Sequence, residues 1–309
     1  MIALTFCAAV PVSAQFQPRD LFASVAPIPA FQNTTEPSIQ VYTAAGSFRS
    51  TIDLPTNFVP LDLNFYNSTL FGSIIGAIYS ISPSGSLSGV AGPAGSFVFD
   101  ANGNLYVADQ AALKKYDSSF SVVLTFSLPQ FASHIDLAAD QCTMYYNSAP
   151  QGPVPALIPA TNARYNVCTA QSLSPLPTAI PTLGSIGALR VLPGNDVLLG
   201  TDTGILRIRP DGTIAQTYSG GPQIALDADR TSFWEAGRSD RVRKLDLASG
   251  SEIAATVPYG VNMIVFSLTV IGEPRAAVAS PPAIPTISEW LLIGLGITLA
   301  IVGLSAFKD

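Results

Sequence analysis

Apolar positions along this chain come in short runs of five or six, separated by polar turns, and the runs recur as paired hairpins. One hairpin pattern is an apolar residue, a four- or five-residue polar turn and a second apolar residue. It begins at Tyr42 and returns at Ile81, Tyr116, Tyr165, Ile208 and Leu245, at intervals of 35 to 49 residues. Gly46, Gly85, Gly212 and Gly250 fall where such a turn needs a positive φ. A second hairpin lies upstream of five of these turns. Its clearest copy is 97–109, with the turn pair Asn102-Gly103; the others are 61–71, 135–146, 189–199 and 224–234.

Strand pairs repeating at this period predict four strands per repeat and six repeats, an all-β six-bladed β-propeller. The upstream hairpin of the first repeat is missing, and a lone strand pattern at 263–271 stands at the far end. The prediction is a ring closed by N- and C-terminal strands, with 263–271 joining strands around 39–54 in one composite blade. Closure of this kind removes the free edge from the first and last repeats. The copy around 97–116 resembles an NHL-type repeat, and 39–273 resembles, loosely, the six-bladed NHL and lactonase-like propellers. A β-sandwich with an appendage is the competing architecture.

The two ends carry a different pattern. Residues 1–10 are almost wholly apolar, and Val12, Ser13 and Ala14 offer the small residues that a signal peptidase reads. The segment 1–14 reads as a signal peptide cut between Ala14 and Gln15, with 15–38 a lead-in to the propeller. The first charged residue is Arg19, so the basic start of such a peptide is missing from the sequence. A Pro/Ala-rich linker, 274–283, precedes an uncharged run, 291–307. As a helix at ~1.5 Å per residue this run is about 26 Å long, close to a bilayer's hydrocarbon thickness. It predicts a C-terminal transmembrane helix, with Trp290 at one interface and Lys308 at the other.

Between linker and helix stand Ile284, Pro285, Thr286, Ile287, Ser288, Glu289 and Trp290. These residues resemble the motif of the IPTL-CTERM sorting domain of Gram-negative bacteria, with Ile287 in place of Leu. Leu291 stands where that family usually has Gly, and the terminal basic cluster is reduced to Lys308. The resemblance implies that 284–309 is a sorting tail whose motif an exosortase-like membrane protease recognises. It further implies a chain exported to the periplasm, the outer surface or the medium, with the tail either discarded or anchoring it in the membrane.

Charge adds little. Lys and Arg number 15 against 21 Asp and Glu, with no basic cluster, so the phosphate-binding footprint of a nucleic-acid partner is lacking. The 24 Gly and 25 Pro fit a turn-rich all-β chain. Of three cysteines, Cys7 leaves with the signal peptide. Cys142 and Cys168 remain as an even pair in an exported protein, which predicts a disulfide.

Candidate chemistry is sparse. His134 is the one histidine, so a multi-histidine metal site is out of reach, and no Gly-x-Ser-x-Gly elbow accompanies it. Pro60, Gly95, Ser133, Gly187 and Gln223, at the starts of the inner strands, do not offer the carboxylate–amide metal set of lactonase-like propellers. Asp100, Asp136 and Asp227 read as turn residues, with calcium ligation as the alternative. Asn33 and Asn67 head N-glycosylation sequons that a bacterial chain meets by chance. Phe65, Tyr66, Tyr106, Tyr145, Tyr146, Phe233 and Trp234 recur near the second strand of the blades, as packing between blades or as ligand platforms. The expectation is therefore no cofactor, no metal and no catalytic residue. The chain would be a binding or scaffold module for an unknown protein or polysaccharide. The alternatives are a hydrolase or lyase of the lactonase-like class, and a component of a surface or extracellular matrix layer.

Overall fold

A computed structural model describes residues 16–27, 36–74, 76–92, 95–148, 161–176, 186–237, 241–257 and 263–274. They form six four-stranded antiparallel sheets. Blade one takes β1 (Leu21–Pro27), β2 (Ser38–Tyr42) and β3 (Phe48–Asp53) from the N-terminal side. Blade two is β4 (Asp62–Tyr66), β5 (Thr69–Ile74), β6 (Ala77–Ile81) and β7 (Leu87–Ala91). Blade three is β8 (Phe97–Phe99), β9 (Leu105–Asp109), β10 (Ala112–Tyr116) and β11 (Val122–Ser127). Blade four is β12 (His134–Leu137), β13 (Thr143–Ser148), β14 (Thr161–Asn166) and β15 (Gln171–Leu173). Blade five is β16 (Ile186–Val191), β17 (Val197–Thr201), β18 (Gly204–Ile208) and β19 (Ile214–Tyr218). Blade six is β20 (Gln223–Leu226), β21 (Ser232–Ala236), β22 (Val242–Asp246) and β23 (Glu252–Thr256). The last strand, β24 (Met263–Val270), returns to blade one as its innermost member, in the order β24-β1-β2-β3.

The innermost strands close a ring: β4 packs on β8, β8 on β12, β12 on β16, β16 on β20, β20 on β24 and β24 on β4. The six-bladed fold is therefore as the spacing predicted. Blade one differs in detail. Leu21–Pro27, inside the segment 15–38 set down as a lead-in, is the second strand of the blade and stands between β24 and β2. The ring thus begins at Leu21 and not at 39. Ser24 Oγ donates to Pro60 O at 2.8 Å, and Leu63 N–H donates to Ser267 Oγ at 2.9 Å, so both members of the closing pair are tied to blade two.

Alternate side chains of each strand enter different interblade spaces, as the two-residue period requires. Leu198 and Ile205 pack with Ile224 and Phe233 between blades five and six. Their neighbours Val197, Leu199 and Leu206 pack with Ala138 and Tyr145 toward blade four. Each of the six interfaces has one such cluster. Tyr106, Tyr145, Tyr146, Phe233 and Trp234 are buried within them. Four of the outer hairpin turns share one geometry. The first turn residue donates to the last (Thr43 to Ser47, Ser82 to Ser86, Asp117 to Ser121, Arg209 to Thr213), and a residue of positive φ precedes the last. That position is Gly46, Gly85 and Gly212 in three blades and Phe120 in blade three.

The signal segment 1–14, the motif at 284–290 and the helix placed at 291–307 lie outside the described residues. Among the described residues no helix is long and apolar enough to cross a membrane.

Candidate functional site

Side chains from four blades meet on the ring axis. Arg190 (β16) is ion-paired with Glu273, which follows β24, at 3.0 Å, and its guanidinium lies 4.0 Å from Asp62 of β4. Glu273 Oε1 also accepts the Leu226 N–H at 2.8 Å, so the segment after the closing strand is pinned across the channel. Asp136 (β12) accepts the Val191 N–H at 2.7 Å and the Leu137 N–H at 2.9 Å. Asp62 Oδ2 accepts from Ser96 Oγ at 2.7 Å and from Phe97 N–H at 3.2 Å.

Burial sets the electrostatics here. Loss of water pushes the Asp136 carboxyl up to about 6, with Arg190 pulling the other way. Burial also disfavours the Arg190 charge, but Glu273, Asp62 and Asp136 more than offset it and hold the guanidinium protonated. His134 sits at the start of β12 with Nε2 3.0 Å from Ile186 O. A carbonyl only accepts, so Nε2 carries the proton. Burial lowers the His134 pKa against the pull of Asp62, and the ring is neutral at pH 7. What space remains beside Asn64, Asp136, Arg190 and Glu273 is about 30 Å³, the room of about one water.

The channel thus gathers three carboxylates and one amide, Asp62, Asp136, Glu273 and Asn64, around an internal cation. This set was not visible at the strand starts, because Asp62 lies two positions beyond Pro60 and Glu273 follows the last strand. Among the described residues no three His, Cys, Asp or Glu side chains converge to ligate one metal ion. The positive charge that such a cluster calls for is supplied by Arg190 itself.

The other two aspartates are held by the chain. Asp100 Oδ1 accepts the Asn102 and Asn104 N–H groups within its own turn. Asp227, fully buried, takes Arg19 at 2.8 Å, Lys244 at 2.8 Å and the Trp234 indole N–H at 3.2 Å. This network fastens the segment before β1 to blade six. Cys142 and Cys168 form a disulfide. It joins the turn before β13 to the turn after β14, at the end of this strand pair opposite the 149–160 connection.

A concavity larger than the space in the channel lies off the axis. Between blades one and two, at the face carrying the β4–β5 and β6–β7 turns, a groove of about 670 Å³ is floored by Phe16, Phe65, Leu87 and Ile271. Ser68, Ser80, Ser82, Ser86 and Ser88 line it too, and none of the described lining residues is ionisable. Its aromatic floor is ordered: Phe16 meets Phe22 edge-on at 4.9 Å, and Phe22 stacks on Phe65 at 5.8 Å. Phe65 and Tyr66 are both half-buried; Phe65 lines the groove, while Tyr66 stacks on Phe99 at 4.6 Å. The sequence reading missed the groove because Phe16 and Ile271 lie outside the repeat pattern.

No protein-family model matches the chain. No curated protein matches it either. The fold is similar to that of a protein of unknown function from Bacteroides caccae, known from a crystal structure at 1.35 Å resolution. The likeness covers 83% of this chain and 100% of that chain, with a TM-score of 0.60 and 11% sequence identity. At that identity the likeness speaks for the fold alone.

Proposed function

We propose that this chain is an exported, non-enzymatic binding module, and that its ligand site is the groove between blades one and two. The observation that carries this reading is the division of labour in the ring. The channel is filled by the chain's own Arg190–Glu273–Asp62–Asp136 cluster, while the groove between blades one and two, about 670 Å³, is uncharged, aromatic and rich in hydroxyls. Rings that present an exposed face suit the apolar side of a sugar, and serine hydroxyls suit its polar edge. The ligand class is a neutral saccharide. Binding of neutral oligosaccharides to the full chain, weakened by Phe65→Leu, tests the reading.

Export rests on the signal-like start and on the resemblance of 284–290 to a sorting motif. The disulfide supports it, because such bonds persist in oxidising compartments. An exosortase-like protease would act at the tail, leaving the ring at the envelope or in the medium. Intact-mass spectrometry of material from the host envelope tests this. The expected product starts at Gln15, ends near Trp290 and lacks two hydrogens for the Cys142–Cys168 bridge. A species ending at Asp309 and confined to the inner membrane would contradict processing.

A lactonase-like hydrolase is the second reading, favoured by the convergence of Asp62, Asn64, Asp136 and Glu273 on the axis. It would need a metal where Arg190 now stands. Millimolar Ca²⁺ or Zn²⁺ should then raise the melting temperature by mass action. The binding-module account predicts no shift.

A further inference from the structure

A second groove, of about 480 Å³, lies between blades five and six. It is lined by Pro193 of the β16–β17 turn, Arg207 of β18, Arg230 and Thr231 of the β20–β21 turn and Asp246 at the end of β22. These turns correspond in their blades to the β4–β5 and β6–β7 turns. Both grooves therefore open on the same face of the ring.

The two cations of this groove are used differently. Arg207 gives Nε to Asp196 at 2.7 Å and Nη1 to Leu247 O at 3.4 Å, so it serves the fold. Arg230 does not. The carboxylates of its own turn, Asp227 and Asp229, are taken by Arg19 and Lys244. The Arg230 guanidinium has no acceptor among the described residues, yet its backbone is fixed, with φ +62° and its N–H donated to Asp227 O at 3.1 Å. Asp246 Oδ1 takes three donors from Ala248 and Ser249, and its Oδ2 takes none among the described residues.

An unpaired guanidinium held in a groove is a ready partner for a carboxylate, through two parallel N–H···O bonds. Asp246 limits the charge of that partner. It repels a dianion such as phosphate, while its open Oδ2 accepts from a hydroxyl. Pro193 adds an exposed apolar surface beside it. One carboxylate, neighbouring hydroxyls and an apolar ring face together describe a uronic-acid sugar.

We propose that the groove between blades five and six binds the carboxylate of a uronic-acid saccharide, with Arg230 as its anchor. The choice of a saccharide rests on the reading of the first groove; the choice of a carboxylate rests on Arg230. The site is separate from the uncharged groove, so one face carries a neutral and an acidic sugar site.

The test is calorimetric titration of the full chain with oligogalacturonate, its methyl ester and oligoglutamate. Wild type, Arg230→Gln, Arg230→Lys and Phe65→Leu are compared, with Arg209→Gln in the outer turn of blade five as control. The expected result is oligogalacturonate binding that Arg230→Gln weakens about tenfold or more and Arg230→Lys weakens less. Phe65→Leu and Arg209→Gln leave it unchanged, and the ester and oligoglutamate do not compete. Loss of neutral-sugar binding in Phe65→Leu alone would report on the first groove and not on this one. The proposal is overturned if oligogalacturonate does not bind, if Arg230→Gln leaves its binding intact, or if the ester or oligoglutamate binds equally well.

Discussion

Arg190 on the fifth blade and Glu273, 83 residues later and beyond the last strand, form an ion pair at 3.0 Å across the ring axis. The pair fastens the chain's closing segment to a blade on another side of the channel. Both side chains are largely withdrawn from water, so each depends on the other.

Breaking one partner of a buried pair strands the other. Glu273→Ala is therefore expected to destabilise the ring by about 3 kcal/mol. That lowers the melting temperature by roughly 6–10 °C. Arg190→Leu leaves three carboxylates without their cation and should cost at least as much. Thermal denaturation followed by circular dichroism checks both. A change under about 0.5 kcal/mol would mean that the pair does not hold the ring closed.

Asp136 and His134 make opposite pH signatures. The folded-state pKa of Asp136, about 6, lies above its ordinary 3.8, so the folded chain holds a proton that the unfolded chain has lost between those values. Stability from this group is full below about 3.8 and lost as pH rises through about 6. Asp136→Asn should therefore gain about 3 kcal/mol relative to wild type between pH ~4 and ~7. His134 has a lowered folded-state pKa, so its contribution is present at neutral pH and lost as pH falls through 6.5. His134→Gln should gain relative to wild type on acidification. Denaturant melts across this pH range measure both slopes; slopes parallel to wild type would contradict the assignment.

The disulfide closes a loop of 26 residues. Its chain-entropy contribution is about 3 kcal/mol. Reduction, or Cys142→Ser with Cys168→Ser, should lower the melting temperature accordingly while leaving the far-ultraviolet spectrum native. Equal melting temperatures with and without reductant would show that the bond adds nothing.

Gly85 sits in the outer turn of blade two at φ +81°, and a Cβ there would fall 2.0 Å from Asp53 O in the neighbouring blade. Gly194 has open space around it. Gly85→Ala is expected to cost at least ~2 kcal/mol through left-handed strain and the backbone clash, and Gly194→Ala to stay within ~0.5 kcal/mol. Parallel melts of the two variants separate a packed turn from a free one.

The repeat was legible because the outer turns of blades one, two, three, five and six are written mostly in Gly, Ser, Asp and Thr between apolar residues, with the Asn-Val-Cys-Thr-Ala turn of blade four the departure. The Asp117 carboxylate shows why: it accepts the N–H groups of Ser119 and Ser121, so the turn can form even with Phe120 in the glycine position. Leu21–Pro27 was not legible as a strand of the ring. It is buried on both faces, so it shows no alternation, and it belongs to no repeated hairpin. The channel cluster was hidden for another reason. Its members come from four blades, and only ring closure brings Glu273 to Arg190. The groove combines a residue before the first strand, Phe16, with one after the last, Ile271, and no local pattern joins them.

The most direct measurement for the binding reading is calorimetric titration of the full chain with neutral gluco-, manno- and galacto-oligosaccharides, alongside acidic oligosaccharides. Wild type, Phe65→Leu and Asp136→Asn would be compared. The account predicts binding to at least one neutral oligosaccharide, weakened about tenfold or more by Phe65→Leu and unaffected by Asp136→Asn. Binding that survives Phe65→Leu but is lost in Asp136→Asn would place the site in the channel and contradict the account, as would binding confined to acidic oligosaccharides.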